Sequence, residues 1–383
     1  MENIKIRLYI EYFNRVSQDV IVDFLDSNDW SNLINARDIT RSMFHLKNYS
    51  GKRLNVGSYY KLNINIFKEE LIEYLPYDQS YIIDGVIDLE NFEGEVFGAA
   101  QSISANESWE RNIDQPNCQL ILDKEKIKYP SLFIAKNVGQ GSWNEIYSNE
   151  KLEFIFDIGA SFRYSKKEID LLVAMPNNRY INENPNVIIS HWDVDHYHCL
   201  KALSDIAIVK FSKFVFRNRL PNLTARVIFS RIRRLNPSCL IAIEPFEKGD
   251  KHSLIKILDL GQYLIYNSRI HRNRNRNALT MCIRTKKRSV ILPADCHYEE
   301  INDCMLSDLC YPHNNYLIVP HHGGKAGKVV YNSNSNFVNK DAIISVGKNS
   351  YGHPLSSTVK SLESLNFKVH QTNHTLKDYR LEL

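Results

Sequence analysis

The chain has 383 residues, 43% hydrophobic and 24% charged, the composition of a soluble globular protein with one large domain or two. No apolar run approaches the roughly 18 residues that a membrane-spanning helix needs. The N-terminus "MENIKIRLYI" lacks the basic, apolar and small-residue order of a signal peptide, so a cytoplasmic protein with no membrane partner is expected. The formal net charge of +4 is unevenly spread: residues 1–130 sum to about −7 and residues 131–383 to about +11.

In chain order, the first 130 residues carry stretches rich in β-branched and aromatic residues, "IKIRLYIEY", "YYKLNINIF" and "YIIDGVIDL". One helical pattern, "DWSNLINARDITRSMF", lies among them. These features predict a small β-rich domain over residues 1–130. The loop-like segment 102–117, "SISANESWERNIDQPN", or "KYPS" at 128–131, is expected to end it. Its acidic balance suits a docking surface for a protein partner.

From residue 131 to residue 383 the pattern changes to short apolar runs that end in polar or glycine-rich corners. These are "LFIAKNVGQGS", "LEFIFDIGA", "NVIISHWDVDH", "RSVILPADC", "NYLIVPHHGG" and "DAIISVGKNS". Helical stretches such as "KKEIDLLVAM", "YHCLKALSDI" and "SSTVKSLESL" alternate with some of them, which predicts an α/β layout with polar residues at the C-terminal ends of buried strands. Basic and apolar residues interleave in "KFSKFVFRNRL", "ARVIFSRIRRL" and "RIHRNRNRN", either as solvated amphipathic faces or as a surface for a phosphate-bearing ligand. The seven cysteines are scattered with no C-x-x-C pair, which points to reduced thiols rather than a disulfide framework or a zinc finger.

The corner "SHWDVDHYHC" admits two readings. Ser190 and Asp193 fit a capping box opening a helix, and the same histidines and aspartates fit a metal cage. Asp157, Asp295 and the pair His321 and His322 stand in similar corners. An isolated aspartate or histidine in such a turn is usually a cap or surface residue. Four acidic or histidine-rich corners after buried strands favour the metal.

Taken in order, "NVGQGSWNEIY", "LEFIFDIGA", "IISHWDVDHY", "NRNALTMCIRTKKRSVILPAD", "YLIVPHHGG" and "AIISVGKNSYGHP" resemble the successive motifs of the metallo-β-lactamase fold hydrolases. They are most similar to the branch typified by the soluble domain of the competence protein ComEC. The resemblance implies a four-layer αβ/βα sandwich of two mixed sheets flanked by helices, with a metal site in a cleft at the sheet edge. It implies that His191 and Asp193 bind one divalent ion and that Asp195 and His196 bind a second. Asp295 would bridge the two, His321 or His322 would complete the set, and Asp157 would orient ligands from behind. The ions implied are zinc, with manganese or magnesium as alternatives. Asp195, His353 and His198 are the residues expected to act in catalysis, the two histidines as proton donors, with His198 alternatively an extra ligand.

This chain departs from that pattern at definable positions. H-x-D replaces the commoner H-x-H, and no histidine stands where many members carry a separate ligand between the metal loop and the bridging aspartate. One ion position is therefore expected to be weaker than the other. His198 and Cys199 replace two glycines, Ala294 replaces the glycine before the aspartate, and Asn137 and Ser142 replace two acids. The function expected is metal-dependent hydrolysis by an activated water, on a phosphodiester of nucleic acid or a nucleotide. The alternatives are a small ester, lactone or thioester as substrate, or a non-catalytic metal-binding protein that docks a partner.

Overall fold

The computed structural model describes residues 5–25, 43–47, 49–63, 80–84, 90–91, 122, 127–246, 253–271, 273–309, 314–331, 339–347, 351–375 and 377–383. The expected helix at 29–44 and the loop at 102–117 fall almost wholly outside these residues, as do Cys118 and Cys310. The other five cysteines are free thiols. Among the described residues, no helix is long and apolar enough to cross a membrane.

Two compact units divide the chain. The first takes residues 1–110 together with the short segments 165–170 and 219–234. Its sheet contains β1 (Lys5–Asn14), β2 (Asp19–Phe24), β3 (Met43–Lys47), β4 (Tyr59–Asn63), β5 (Ser80–Asp84) and β6 (Glu90–Asn91), in the order β5-β3-β2-β1-β4-β6. The period-two pattern of β1 turns Ile6, Leu8 and Ile10 into a core shared with Val20, Val22, Phe24 and Leu46. Leu223 belongs to that core and Val227 packs against it, both from the helix Leu223–Leu235. The helix starts where Asn222 accepts a hydrogen bond from the Ala225 amide at 2.8 Å. Asn222 also donates to the buried Glu11 carboxylate, and the Thr224 amide donates to Asp23 at 3.3 Å.

The second unit holds the remainder of the chain and two seven-stranded sheets. One is built from β7 (Leu132–Ala135), β8 (Trp143–Ser148), β9 (Lys151–Ile158), β10 (Asn186–Ile189), β11 (Lys213–Arg217) and β12 (Leu240–Ile243). The other contains β13 (Leu254–Asp259), β14 (Tyr263–Ser268), β15 (Leu279–Arg284), β16 (Arg288–Leu292), β17 (Asn314–Ile318), β18 (Lys340–Ile344) and β19 (Lys368–Gln371), in chain order. The last strand, β20 (Tyr379–Glu382), returns to pair antiparallel with β7 in the first sheet.

A single apolar cluster joins the two sheets face to face. It includes Phe154, Phe156, Ile188 and Val215 from one and Tyr263, Met281, Val290 and Leu317 from the other. Each such side chain contributes roughly 1.5–3 kcal/mol by leaving water, which is why these strands read as continuous apolar runs. Helices flank the sandwich: Tyr180 of the helix Lys166–Glu183 donates to the Glu145 carboxylate of β8 and accepts a bond from the Trp143 indole at 3.2 Å. This is a mixed α/β sandwich of two sheets flanked by helices, the layout that the resemblance implied, and the smaller β-rich sheet precedes it in the chain.

Strand direction positions the polar corners. β9 and β10 are parallel neighbours, as are β16 and β17, so Asp157 and Ser190 leave adjacent strand ends in one sheet while Asp295 and His321 follow adjacent strand ends in the other. The Leu279 amide at the start of β15 donates to the Ser190 carbonyl at 2.8 Å, which ties the two edges together.

Two local expectations are corrected. Ser190 does not cap the following helix, because its amide and hydroxyl both go to Asp157, at 2.7 and 3.0 Å. Asp193 stands at the N-cap position with extended backbone but makes no capping hydrogen bond. The stretch "YHCLKALSDI" is also not one helix. It breaks into Val194–Tyr197, a tight turn His198–Lys201 and Asp205–Val209. Ser204 starts the last of these by accepting from the Ala207 amide, and a capping serine inside a helical pattern is a stop as well as a start.

Candidate metal centre

The corners meet in a buried cluster in which three imidazoles are presented alike. His196 donates from Nδ1 to the Asp157 carboxylate at 2.8 Å, and His322 donates from Nδ1 to the Ser345 carbonyl at 3.0 Å. His191 Nδ1 lies 3.0 Å from Ser190 Oγ, whose own proton is given to Asp157, so His191 is the donor there. In each ring the Nδ1 bond fixes the tautomer and leaves the Nε2 lone pair facing inward.

Those Nε2 atoms face carboxylates. His196 Nε2 is 3.2 Å from Asp295 Oδ1 and 4.0 Å from Asp195 Oδ1, while His322 Nε2 is 3.4 Å from Asp195 Oδ2. His191 Nε2 lies 3.5 Å from Asp193 Oδ2 and 3.8 Å from Asp295 Oδ2. Two groups of potential ligand atoms result, each within 4.8 Å of one another: His191, His196 and Asp295, and Asp195, His196 and His322. The Nε2 atoms of His191, His196 and His322 and Asp295 Oδ1 are buried without a hydrogen-bond partner. Buried polar atoms are normally satisfied. Orphaned imidazole nitrogens converging on carboxylate oxygens fit a divalent metal, which would supply the missing partner.

The electrostatics agree with that reading. Burial pushes the His196 imidazole down, yet Asp157 and Asp295 on either side hold it well above its ordinary value. Burial likewise works against His322, and Asp195 and Asp295 raise it. Asp195 is held below the usual carboxylate range by His322 and His196 despite its burial, and Asp295 by His321, His196 and His191. The centre is a sink for positive charge.

Backbone geometry shows why these corners take the shapes they do. Asp157, Ala294, His321 and His322 all have positive φ, at 62°, 50° or 52°. Such left-handed backbone is rare outside glycine and costs on the order of 1–3 kcal/mol per residue. Ala294, where the resemblance implied a glycine, adopts the left-handed backbone that glycine favours. Consecutive left-handed residues turn His321 and His322 to different neighbours, Asp295 and Asp195. A Cβ on Gly159 would lie 1.7 Å from the Asp195 carbonyl, and the Ser142 amide donates to that same carbonyl at 2.9 Å. The "VGQGS" and "FDIGA" turns thus clamp the metal loop from behind.

The other expected residues are placed as follows. His321 sits at the rim, 23% exposed, with Nε2 3.8 Å from Asp295 Oδ2. His353 packs edge-on against His321 with ring centroids 5.0 Å apart and stacks on Tyr351. Burial and the neighbouring histidines push His353 down to about 3, so its imidazole is neutral at neutral pH. His198 lies buried with Nδ1 3.2 Å from the Ser161 carbonyl and is absent from both donor groups; burial and Lys201 push it down to about 4. Cys199 is buried, and desolvation raises its thiol.

Two residues that sequence reasoning did not single out also enter the site. Arg274 Nε lies 3.0 Å from Asp193 Oδ2, and Asn275 Nδ2 lies 3.0 Å from His321 Nε2. Both come from the basic run "RIHRNRNRN", whose composition suggested a surface but not a position. Burial raises the Asp193 carboxyl, but Arg274 and His191 hold it below the usual range.

No protein-family model matches the chain, and no curated protein matches it. Among solved structures it is similar to the short form of human tRNase Z, with 12% identity, a TM-score of 0.38, and coverage of 65% of this chain and 98% of that one. It is also similar to Zn²⁺-bound PqqB from Methylobacterium extorquens, with 9% identity, a TM-score of 0.34 and coverage of 66% and 99%. CmlA, a diiron β-hydroxylase from Streptomyces venezuelae, matches at 10% identity and a TM-score of 0.37 over 98% of this chain and 76% of that one. Likenesses this distant carry no functional argument; the class of the fold rests on strand order and the joined core of the two sheets.

Proposed function

We propose that this chain is a metal-dependent hydrolase of phosphodiester bonds in nucleic acid or a nucleotide. The observation that carries the hydrolase reading is the set of buried, unpartnered Nε2 atoms on His191, His196 and His322 around Asp195 and Asp295. A divalent ion held there supplies Lewis acidity and lowers the pKa of water towards about 7. The protein's part is preorganisation. Asp157, Ser190 and the Ser345 carbonyl hold the rings in the ligating tautomer, and the clamped loop holds Asp195. His353 is neutral and stands beside His321, where its imidazole can hydrogen-bond a substrate oxygen.

Charge supports the choice of substrate: residues 131–383 carry about +11, and a polyanion would be drawn to them with a salt-sensitive affinity. The test is metal analysis of purified protein followed by assay of single-stranded DNA, RNA and a chromogenic phosphodiester with added Zn²⁺ or Mn²⁺. Cleavage that is lost in Asp195→Ala and Asp295→Ala is expected. Turnover of a lactone or thioester with no cleavage of any phosphodiester would transfer the site to small esters. Protein without bound metal, and unaffected by either substitution, would end the enzymatic reading.

A further inference from the structure

The two sides of the centre are not equivalent. On one, Asp195, His196, His322 and Asp295 Oδ1 face one another. On the other side His191, Asp193 and Asp295 Oδ2 face one another, and here the loop between β14 and β15 intervenes. Arg274 places its guanidinium on Asp193 Oδ2, the same oxygen that faces His191. The next residue, Asn275, donates to His321 Nε2, while His321 Nδ1 is turned to the Lys325 carbonyl. The two donors that could enlarge the His191 position, Asp193 and His321, are thus engaged by consecutive residues of one loop.

The loop is built to hold them there. Arg276 pairs with the buried Glu300 at 2.8 Å, and Glu300 in turn accepts from the His297 amide. Asn277 bonds both ways with the His271 backbone, and Asn273 caps the short turn Arg274–Arg276. Arginine stays charged at all working pH values, so it acts as a permanent cation. The three carboxylates that face the ion positions, Asp193, Asp195 and Asp295, sum to −3. One divalent ion with one guanidinium matches that sum.

We infer that Arg274, seated by its loop, takes the place of a second metal ion beside His191 and Asp193, so that the centre holds one divalent ion, at Asp195, His196, His322 and Asp295. This rests on the metal-centre reading proposed above.

The experiment is ion counting on the full chain: stripped of metal, titrated with Zn²⁺ or Mn²⁺ by calorimetry, and checked by elemental analysis. The wild-type chain should take one ion, and Arg274→Ala should take two, with the second lost again in Arg274→Ala combined with His191→Ala. Arg274→Met retains the side chain's bulk and serves if the alanine variant does not fold; it should also take two. Two ions in the wild type would overturn the inference and leave the hydrolase reading standing, as would a single ion in both the wild type and the arginine variants. No ion in any of them would overturn both.

Discussion

Asp157 illustrates how much one side chain can set without touching a ligand itself. Its carboxylate receives the Ser190 amide, the Ser190 hydroxyl and His196 Nδ1, so it fixes one imidazole directly and another through a serine. Groups in this position typically contribute 10–100-fold to metal affinity. Asp157→Asn is therefore expected to weaken ion binding by about that factor with little change in fold, as read by competition against a chromophoric chelator. The positive φ at Asp157 argues for asparagine rather than alanine as the test, since asparagine tolerates left-handed backbone. Gly159 is the sharper case. Any side chain there meets the Asp195 carbonyl, so Gly159→Ala must displace the metal loop or the strand end. A loss of about 3 kcal/mol or more is expected by chemical denaturation, at the severe end for a single substitution.

Among the elements, the helix Leu223–Leu235 shows the limits of reading a chain in segments. The run "ARVIFSRIRRL" was legible as basic and apolar residues interleaved; its Ile228, Phe229 and Ile232 are buried, as is Leu223 just before it. It lies in sequence among the strands of the sandwich, yet it belongs to the unit of the N-terminal sheet. Periodicity identifies an amphipathic helix but not the surface that receives it. Asn222→Ala removes the cap and the hydrogen bond to Glu11, and should destabilise the first unit by about 1–2 kcal/mol. Amide hydrogen exchange along β1 and β2 would register this, and the ion count should not change. The same limit explains the broken helix after the metal loop: hydrophobic spacing continued through "YHCLKALSDI", and Ser204 ended the pattern by local hydrogen bonding.

For the molecule as a whole, every candidate ligand lies in the second unit, in turns that follow strands far apart in sequence. An ion held there would tie the two sheets of the sandwich at one edge. An ion at 100 times its dissociation constant stabilises the state that binds it by about 2.7 kcal/mol. Removing metal with a chelator should lower the unfolding temperature of the second unit by several degrees, restored on adding Zn²⁺ or Mn²⁺. Hydrogen exchange should show the loss of protection at the ends of β10, β16 and β17 and not in β1 to β4.

Much of this was legible in the chain itself. Continuous apolar runs ending in Asp157, His191, Asp295 and His321 marked buried strands with chemistry at their ends, because burial on both faces demands such runs and a strand end is where polar atoms can escape them. The order of those motifs pointed to the two-sheet sandwich. What a one-dimensional pattern could not express was direction in space. That Ser190 serves Asp157 rather than a helix, that His321 and His322 turn to different carboxylates, and that Arg274 rests on Asp193 all depend on where loops distant in sequence meet. Periodicity records only which side of its own element a residue faces; long-range contacts and positive φ angles decide its partner, and those exist only once the sheets have packed.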